Sequence, residues 1–135
     1  IDLLSQVILD KENSPLYDLD HDGRVDADDR SAWVQDLRNT YFGDADLNGV
    51  FDTQDLVSVL AAGEYEDQLA MNSTWSTGDW NGDAEANSSD FVAALADGGY
   101  EQGPRAGVAA VPEPSTSTLL LLAVFGVAGQ ARRRR

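Results

Sequence analysis

The stretch DADLNGVFDTQD, residues 44–55, decides how this chain folds. Counting Asp44 as position 1, oxygen-bearing side chains fall at positions 1, 3, 5, 9 and 12: Asp44, Asp46, Asn48, Asp52 and Asp55. Val50 at position 7 offers its backbone carbonyl, Gly49 at position 6 allows the sharp turn, and Phe51 is the apolar eighth residue. That is the donor spacing of an EF-hand loop, which wraps a calcium ion in six or more hard oxygen ligands. The stretch DLDHDGRVDADD, residues 18–29, repeats it with Asp18, Asp20, Asp22, the Arg24 carbonyl, Asp26 and Asp29, around Gly23 and Val25. Every position that needs an oxygen has one in both loops. The eighth position, Val25 or Phe51, is where paired loops usually meet through a short strand contact.

A third loop, DWNGDAEANSSD, starts at Asp79 and offers Asp79, Asn81, Asp83, the Glu85 carbonyl, Asn87 and Asp90. It departs from the pattern at Ala84, where glycine is expected, and at Ala86, where a larger apolar residue is expected. A left-handed backbone at position 6 costs a non-glycine residue roughly 1 kcal/mol or more. This loop is therefore expected to be the weakest of three calcium sites, the other two being complete.

The loops belong to an internal repeat. Residues 43–67 align with 78–102 without a gap, at an offset of 35, matching Gly43 with Gly78, Leu60 with Leu95, and Tyr65 with Tyr100. Each loop runs into a short amphipathic helix, whose expected buried stripe is Trp33, Val34 and Leu37; Leu56, Val57 and Leu60; or Phe91, Val92 and Leu95. Gly63 and Gly98 mark the helix stops. Helices this short do not persist alone, so the units must pack on one another. Upstream, residues 1–15 form an amphipathic segment with Leu3, Leu4, Val7 and Ile8 on one helical face. The expected fold is mainly α: small EF-hand-like calcium loop–helix repeats over 16–102, a flexible linker at 103–110, then a C-terminal hydrophobic helix.

Bulk composition narrows function. Of the nine basic residues four are Arg132–Arg135, leaving five against 24 acidic ones, which argues against nucleic-acid binding. With no cysteine, disulfides, thiolate metal sites and cysteine nucleophiles are excluded. In the calcium-free chain each loop crowds its carboxylates together, which couples folding to calcium. His21, the single histidine, reads as a solvated spacer, and the tryptophans as packing residues. No spacing suggests a catalytic triad or a glycosidase pair, so the chain is expected to be non-catalytic.

The loop–helix units resemble the type I dockerin family, with Asp rather than Glu at position 12 (Asp29, Asp55) and no entering helix before Asp44 or Asp79. That resemblance covers about residues 16–102. It implies that loop positions 10 and 11 contact a cohesin-like envelope protein. Those positions are Ala27 and Asp28, Thr53 and Gln54, and Ser88 and Ser89, only the last having the Ser/Thr character of the family.

The tail VPEPSTSTLLLLAVFGVAGQARRRR, residues 111–135, looks like a PEP-CTERM sorting signal: Val111, Pro112, Glu113, Pro114 and Ser115, then a hydrophobic segment at 118–131 and the arginine cluster. This likeness implies export by a Gram-negative bacterium and processing by exosortase, a membrane-embedded protease-transpeptidase. The apolar run is short of the ~20 residues of a full span, and its arginines fit the rule that positive charge stays cytoplasmic. The tail is thus expected to anchor the chain in the membrane before processing, with the acidic body outside at the cell envelope or cell surface. The chain opens on Ile1 and reads as the C-terminal part of a longer protein. The leading expectation is a calcium-binding module on an exported, envelope-sorted protein. Two rivals are a working cohesin-binding module and the tail of a secreted polysaccharide-degrading hydrolase whose catalytic domain lies upstream.

Overall fold

The computed structural model describes residues 1–107; the sorting-motif residues 111–115 and the hydrophobic segment 118–131 lie outside them. Four helices appear in order: α1 (Asp2–Leu9), α2 (Ala27–Ser31), α3 (Thr53–Ala62) and α4 (Ser88–Ala96). A π-helical stretch, Ala32–Leu37, continues α2, and a single 3-10 turn, Trp75–Thr77, precedes the third loop. The fold is mainly helical, as expected, and three of the helices begin in the closing residues of the acidic loops. Gly63 ends α3 in the left-handed conformation, and Gly98 follows the end of α4.

The core is built from Val34, Ala45, Phe51, Val59, Trp75, Trp80 and Ala94, ringed by Ile1, Trp33, Tyr41, Phe42, Leu47, Leu56, Phe91 and Tyr100. Aromatic rings meet edge-on through it: Phe51 on Trp80 at 5.8 Å and Trp80 on Phe91 at 5.5 Å between centroids. Helix α1 buries Leu4 and Val7 and leaves Leu3 exposed. Its Asp2 carboxylate accepts the Trp75 N–H at 2.8 Å, tying the N-terminal segment to the approach of the third loop.

Two expectations need correcting. The expected buried stripe lies one residue too far along α3 and α4, whereas in the first unit Trp33 and Val34 do pack into the core and only Leu37 is exposed. Val57, Leu60, Val92, Leu95 and Leu37 are all at least half exposed. The buried face of α3 is Asp55, Leu56 and Val59, and that of α4 is Asp90, Phe91 and Ala94. An i, i+1, i+4 face is present, but it begins at the twelfth-position aspartate, which must face the loop. The second correction concerns the eighth residues. Phe51 pairs in parallel with Tyr100, and Ala86 with Tyr65, while Val25 makes no such bridge. Each of these loops therefore reaches the segment after the other repeat's helix. The two bridges interchange under the 35-residue offset, which makes residues 43–67 and 78–102 a pseudo-symmetric pair. Backbone bonds accompany them, Glu101 N–H to Phe51 O at 2.8 Å and Glu66 N–H to Ala86 O at 2.9 Å.

The linker expected from residue 103 has no regular structure, yet its first part is fastened. Arg105 pairs with Asp97 at 2.7 Å and lies 4.6 Å over the Tyr41 ring, and its carbonyl accepts the Asn39 side-chain amide. Among the described residues no helix is long and apolar enough to cross a membrane.

Gly43 and Gly78 precede the paired loops with left-handed backbones, and both are packed tightly. A β-carbon on Gly78 would lie 2.6 Å from a Val59 methyl and 3.2 Å from the Ala86 β-carbon. Gly63 is equally left-handed but open to space. Gly63→Ala should cost about 1 kcal/mol, from backbone strain alone. Gly78→Ala adds overpacking and should cost about 1–3 kcal/mol more. Thermal unfolding followed by circular dichroism checks this, and equal midpoints for the two variants would contradict the packing described.

Candidate metal centres

Each loop is organised by backbone N–H groups donating to its own acidic side chains. In the second loop, Asp44 accepts the Gly49 N–H at 2.8 Å and the Asn48 N–H at 3.0 Å, and also the Thr40 hydroxyl. Asp46 accepts from Asn48, and Asn48 from Val50, at 3.1 and 2.9 Å. Asp52 caps α3 through the Gln54 N–H at 2.7 Å. Asp55 closes the loop, accepting the Ala45 and Asp52 N–H groups, each at 2.9 Å, one on either oxygen.

The first loop repeats this ladder: Gly23 to Asp18, Asp22 to Asp20, Arg24 to Asp22, Asp28 to Asp26, and Leu19 with Asp26 to Asp29. So does the third: Asp83 to Asn81, Glu85 to Asp83, Ser89 to Asn87, and Trp80 with Asn87 to Asp90. It differs at its start, where Asp79 accepts from Gly82 at 2.7 Å, the fourth residue of the loop. Ala84 does adopt the expected left-handed backbone, at φ +66°.

Carboxylate oxygens converge in all three loops. Asp18, Asp20 and Asp22 bring one oxygen each within 4.8 Å of one another, as do Asp44, Asp46 and Asp55, and Asp79, Asp83 and Asp90. Asp29 stands outside the first group and spends its oxygens on backbone N–H donors. The residues at position 9, Asp26, Asp52 and Asn87, act as helix N-caps. Arg24, Val50 and Glu85 sit at position 7 with their N–H groups bound to the fifth side chain.

The donor set fits a hard divalent cation. It is all oxygen, without thiolate or imidazole, and a buried Asp18 oxygen, Oδ1, has no hydrogen-bond partner. His21 is exposed on a left-handed backbone and joins none of these groups. Trp75 and Trp80 are buried, consistent with packing roles.

With the site geometry described, comparison with known proteins adds the tail. Residues 110–135 match the PEP-CTERM protein-sorting motif. No curated protein and no solved structure matches the chain. The sorting motif marks an exported protein that exosortase processes and that is sorted to the envelope. The likeness of residues 16–102 to dockerins rests on the loop residues alone.

Sequence reading passed over Arg30, buried against the third loop, and Thr40, which donates to Asp44. Aligning the helices would have flagged Arg30, since it stands where the other repeats carry Leu56 and Phe91.

Burial pushes the carboxyls of Asp44, Asp55 and Asp90 up from their ordinary value, and that of Asp79 to about 6, with Arg30 partly opposing the last. Unfolded, an aspartate titrates near 3.9. The protonated carboxyl thus stabilises the fold fully below about pH 4, and the contribution is lost as pH rises through 6. In calcium-free buffer the melting temperature should therefore fall across pH 4–6, with calcium reversing the slope because it binds only the ionised groups. A calcium-free midpoint that climbs through that window would refute the electrostatic account.

Proposed function

We propose that residues 16–102 form a non-catalytic, calcium-binding module, dockerin-like in its loop–helix repeats, carried by an exported protein sorted to the cell envelope. The observation that carries this reading is the threefold recurrence of one hydrogen-bond ladder around three converging carboxylates. Occupied loops would hold calcium through Asp18, Asp20 and Asp22; Asp44, Asp46 and Asp55; and, more weakly, Asp79, Asp83 and Asp90. The ion supplies charge neutralisation, and the chain supplies a preshaped cradle whose repulsion it relieves. Before processing, the apolar segment 118–131 and its arginines would hold the body at the membrane, on the outer side.

Extracellular calcium modules bind at about 10⁻⁴–10⁻³ M, and affinities in that range are expected here. Calorimetric titration of the full chain should show two ions bound in the first two loops and a weaker third. Asp18→Ala and Asp44→Ala should each remove one. Undiminished stoichiometry in both variants would sink the loop assignment.

A second reading has one specific observation behind it. Val57 and Leu60 on α3 and their counterparts Val92 and Leu95 on α4 are exposed apolar pairs. They suit a protein partner of the cohesin type, beside the exposed Ser88 and Ser89. A calcium-dependent pull-down from envelope extract, abolished by Leu60→Asp together with Leu95→Asp, is the expected result. Retained binding in that double variant would remove these faces from the account.

A further inference from the structure

Arg30 is out of place by every rule of the repeats. It occupies the first helical position after the twelfth-position aspartate, where Leu56 and Phe91 supply apolar core elsewhere. Its side chain is nonetheless buried, at 2% exposure. The guanidinium donates to the Ser5 hydroxyl of α1 and, at 3.0 Å, to the carbonyl of Trp80 inside the third loop.

The third loop carries a matching change. Position 4 has a left-handed backbone in all three loops, yet only the third has glycine there. Gly82 has φ +92°, beyond the +64° and +58° of His21 and Leu47, so its backbone favours glycine. The approach of Arg30 favours it as well. A β-carbon at Gly82 would fall 2.7 Å from the guanidinium carbon and from Nη1. Arginine on one repeat and glycine on another thus form a fitted pair, 52 residues apart in sequence.

We propose that Arg30 is a built-in counter-charge for the third loop, holding it folded without calcium and weakening its grip on the ion relative to the first two. This inference rests on the calcium-binding reading above. A guanidinium stays protonated at any pH of interest, and buried charges are poorly screened. The carboxylates whose charge acts on it are Asp79, Asp90 and Asp83 of the third loop and Asp2 of α1. A fixed positive charge there offsets carboxylate repulsion when calcium is absent, and it repels an arriving divalent ion. Ser5, the Trp80 carbonyl and Gly82 surround the guanidinium and hold it beside the loop. Through Ala86 and Tyr65 the third loop is bridged to the segment that follows α3 in the second repeat.

The test is calcium titration of the full chain by calorimetry, with calcium-free thermal unfolding alongside. Arg30→Gln keeps donors for Ser5 and Trp80 while removing the charge; Arg30→Lys keeps the charge. The Gln variant should tighten the third site by at least about tenfold, the scale of one opposed charge at short range in a partly buried setting. It should also lower the calcium-free melting temperature, leaving the first two sites within about twofold. The Lys variant should keep the weak third site. A Gln variant that folds only once calcium is added supports the proposal by the same logic. A third site of unchanged or lower affinity in the Gln variant, with the first two intact, overturns it. A wild-type chain that titrates no calcium at all would instead overturn the calcium-binding reading on which it rests.

Discussion

The buried carboxylate that closes each loop is the interaction on which everything else depends. Asp29, Asp55 and Asp90 are 1–2% exposed, and each accepts N–H groups from the second and ninth residues of its loop. A carboxylate removed from water is tolerated only when its oxygens are satisfied, and here the backbone satisfies them. One side chain thereby joins the start of the loop, the end of the loop and the first turn of the helix. The same bond sets the rotation of the helix about its axis. Because Asp55 must face the loop, Leu56 and Val59 face the core with it, and Val57 and Leu60 are turned to solvent.

That rotation explains which parts of the architecture were legible in the sequence. The donor spacing of Asp44–Asp55 and Asp18–Asp29 located the loops, because hydrogen bonding within a loop is local and depends on residue type and separation. Helices α3 and α4 and their glycine stops were legible for the same reason. The inward face was misread because apolar periodicity treats a buried aspartate as a surface residue. Starting the count from the twelfth-position acid would have corrected it. The exchange of bridges between Phe51 and Tyr100, and between Ala86 and Tyr65, lay beyond pattern reading, since it depends on how two repeats dock. Even so, Tyr65 and Tyr100 had already aligned at the repeat offset.

Of the candidate ligands, the structure draws together the acids at positions 1, 3 and 5 in the first loop, 1, 3 and 12 in the second, and 1, 5 and 12 in the third. The selection is physical. Position 3 is Asn81 in the third loop and position 5 is Asn48 in the second, so a neutral amide replaces one acid in each. Asp29 lies outside the first group. A count of acidic residues does not anticipate such choices: Asp29, Asp55 and Asp90 make the same backbone bonds, yet only the last two join their clusters.

The three loops also answer the same electrostatic problem in three ways. In the first, Asp20 and Asp22 are exposed, and water screens their repulsion. In the second, Asp44 is buried but is met by the Thr40 hydroxyl and two backbone N–H groups, which supply dipoles in place of charge. In the third, Asp79 and Asp90 are buried and Arg30 lies close by, a full opposing charge fixed in the interior. Solvent, dipoles and a guanidinium are three different substitutes for an ion. Each substitute offsets the cost of a charge from which water is excluded. The loop that departs most from the calcium pattern, at Ala84 and Ala86, is also the one whose compensation is a full charge built into the chain.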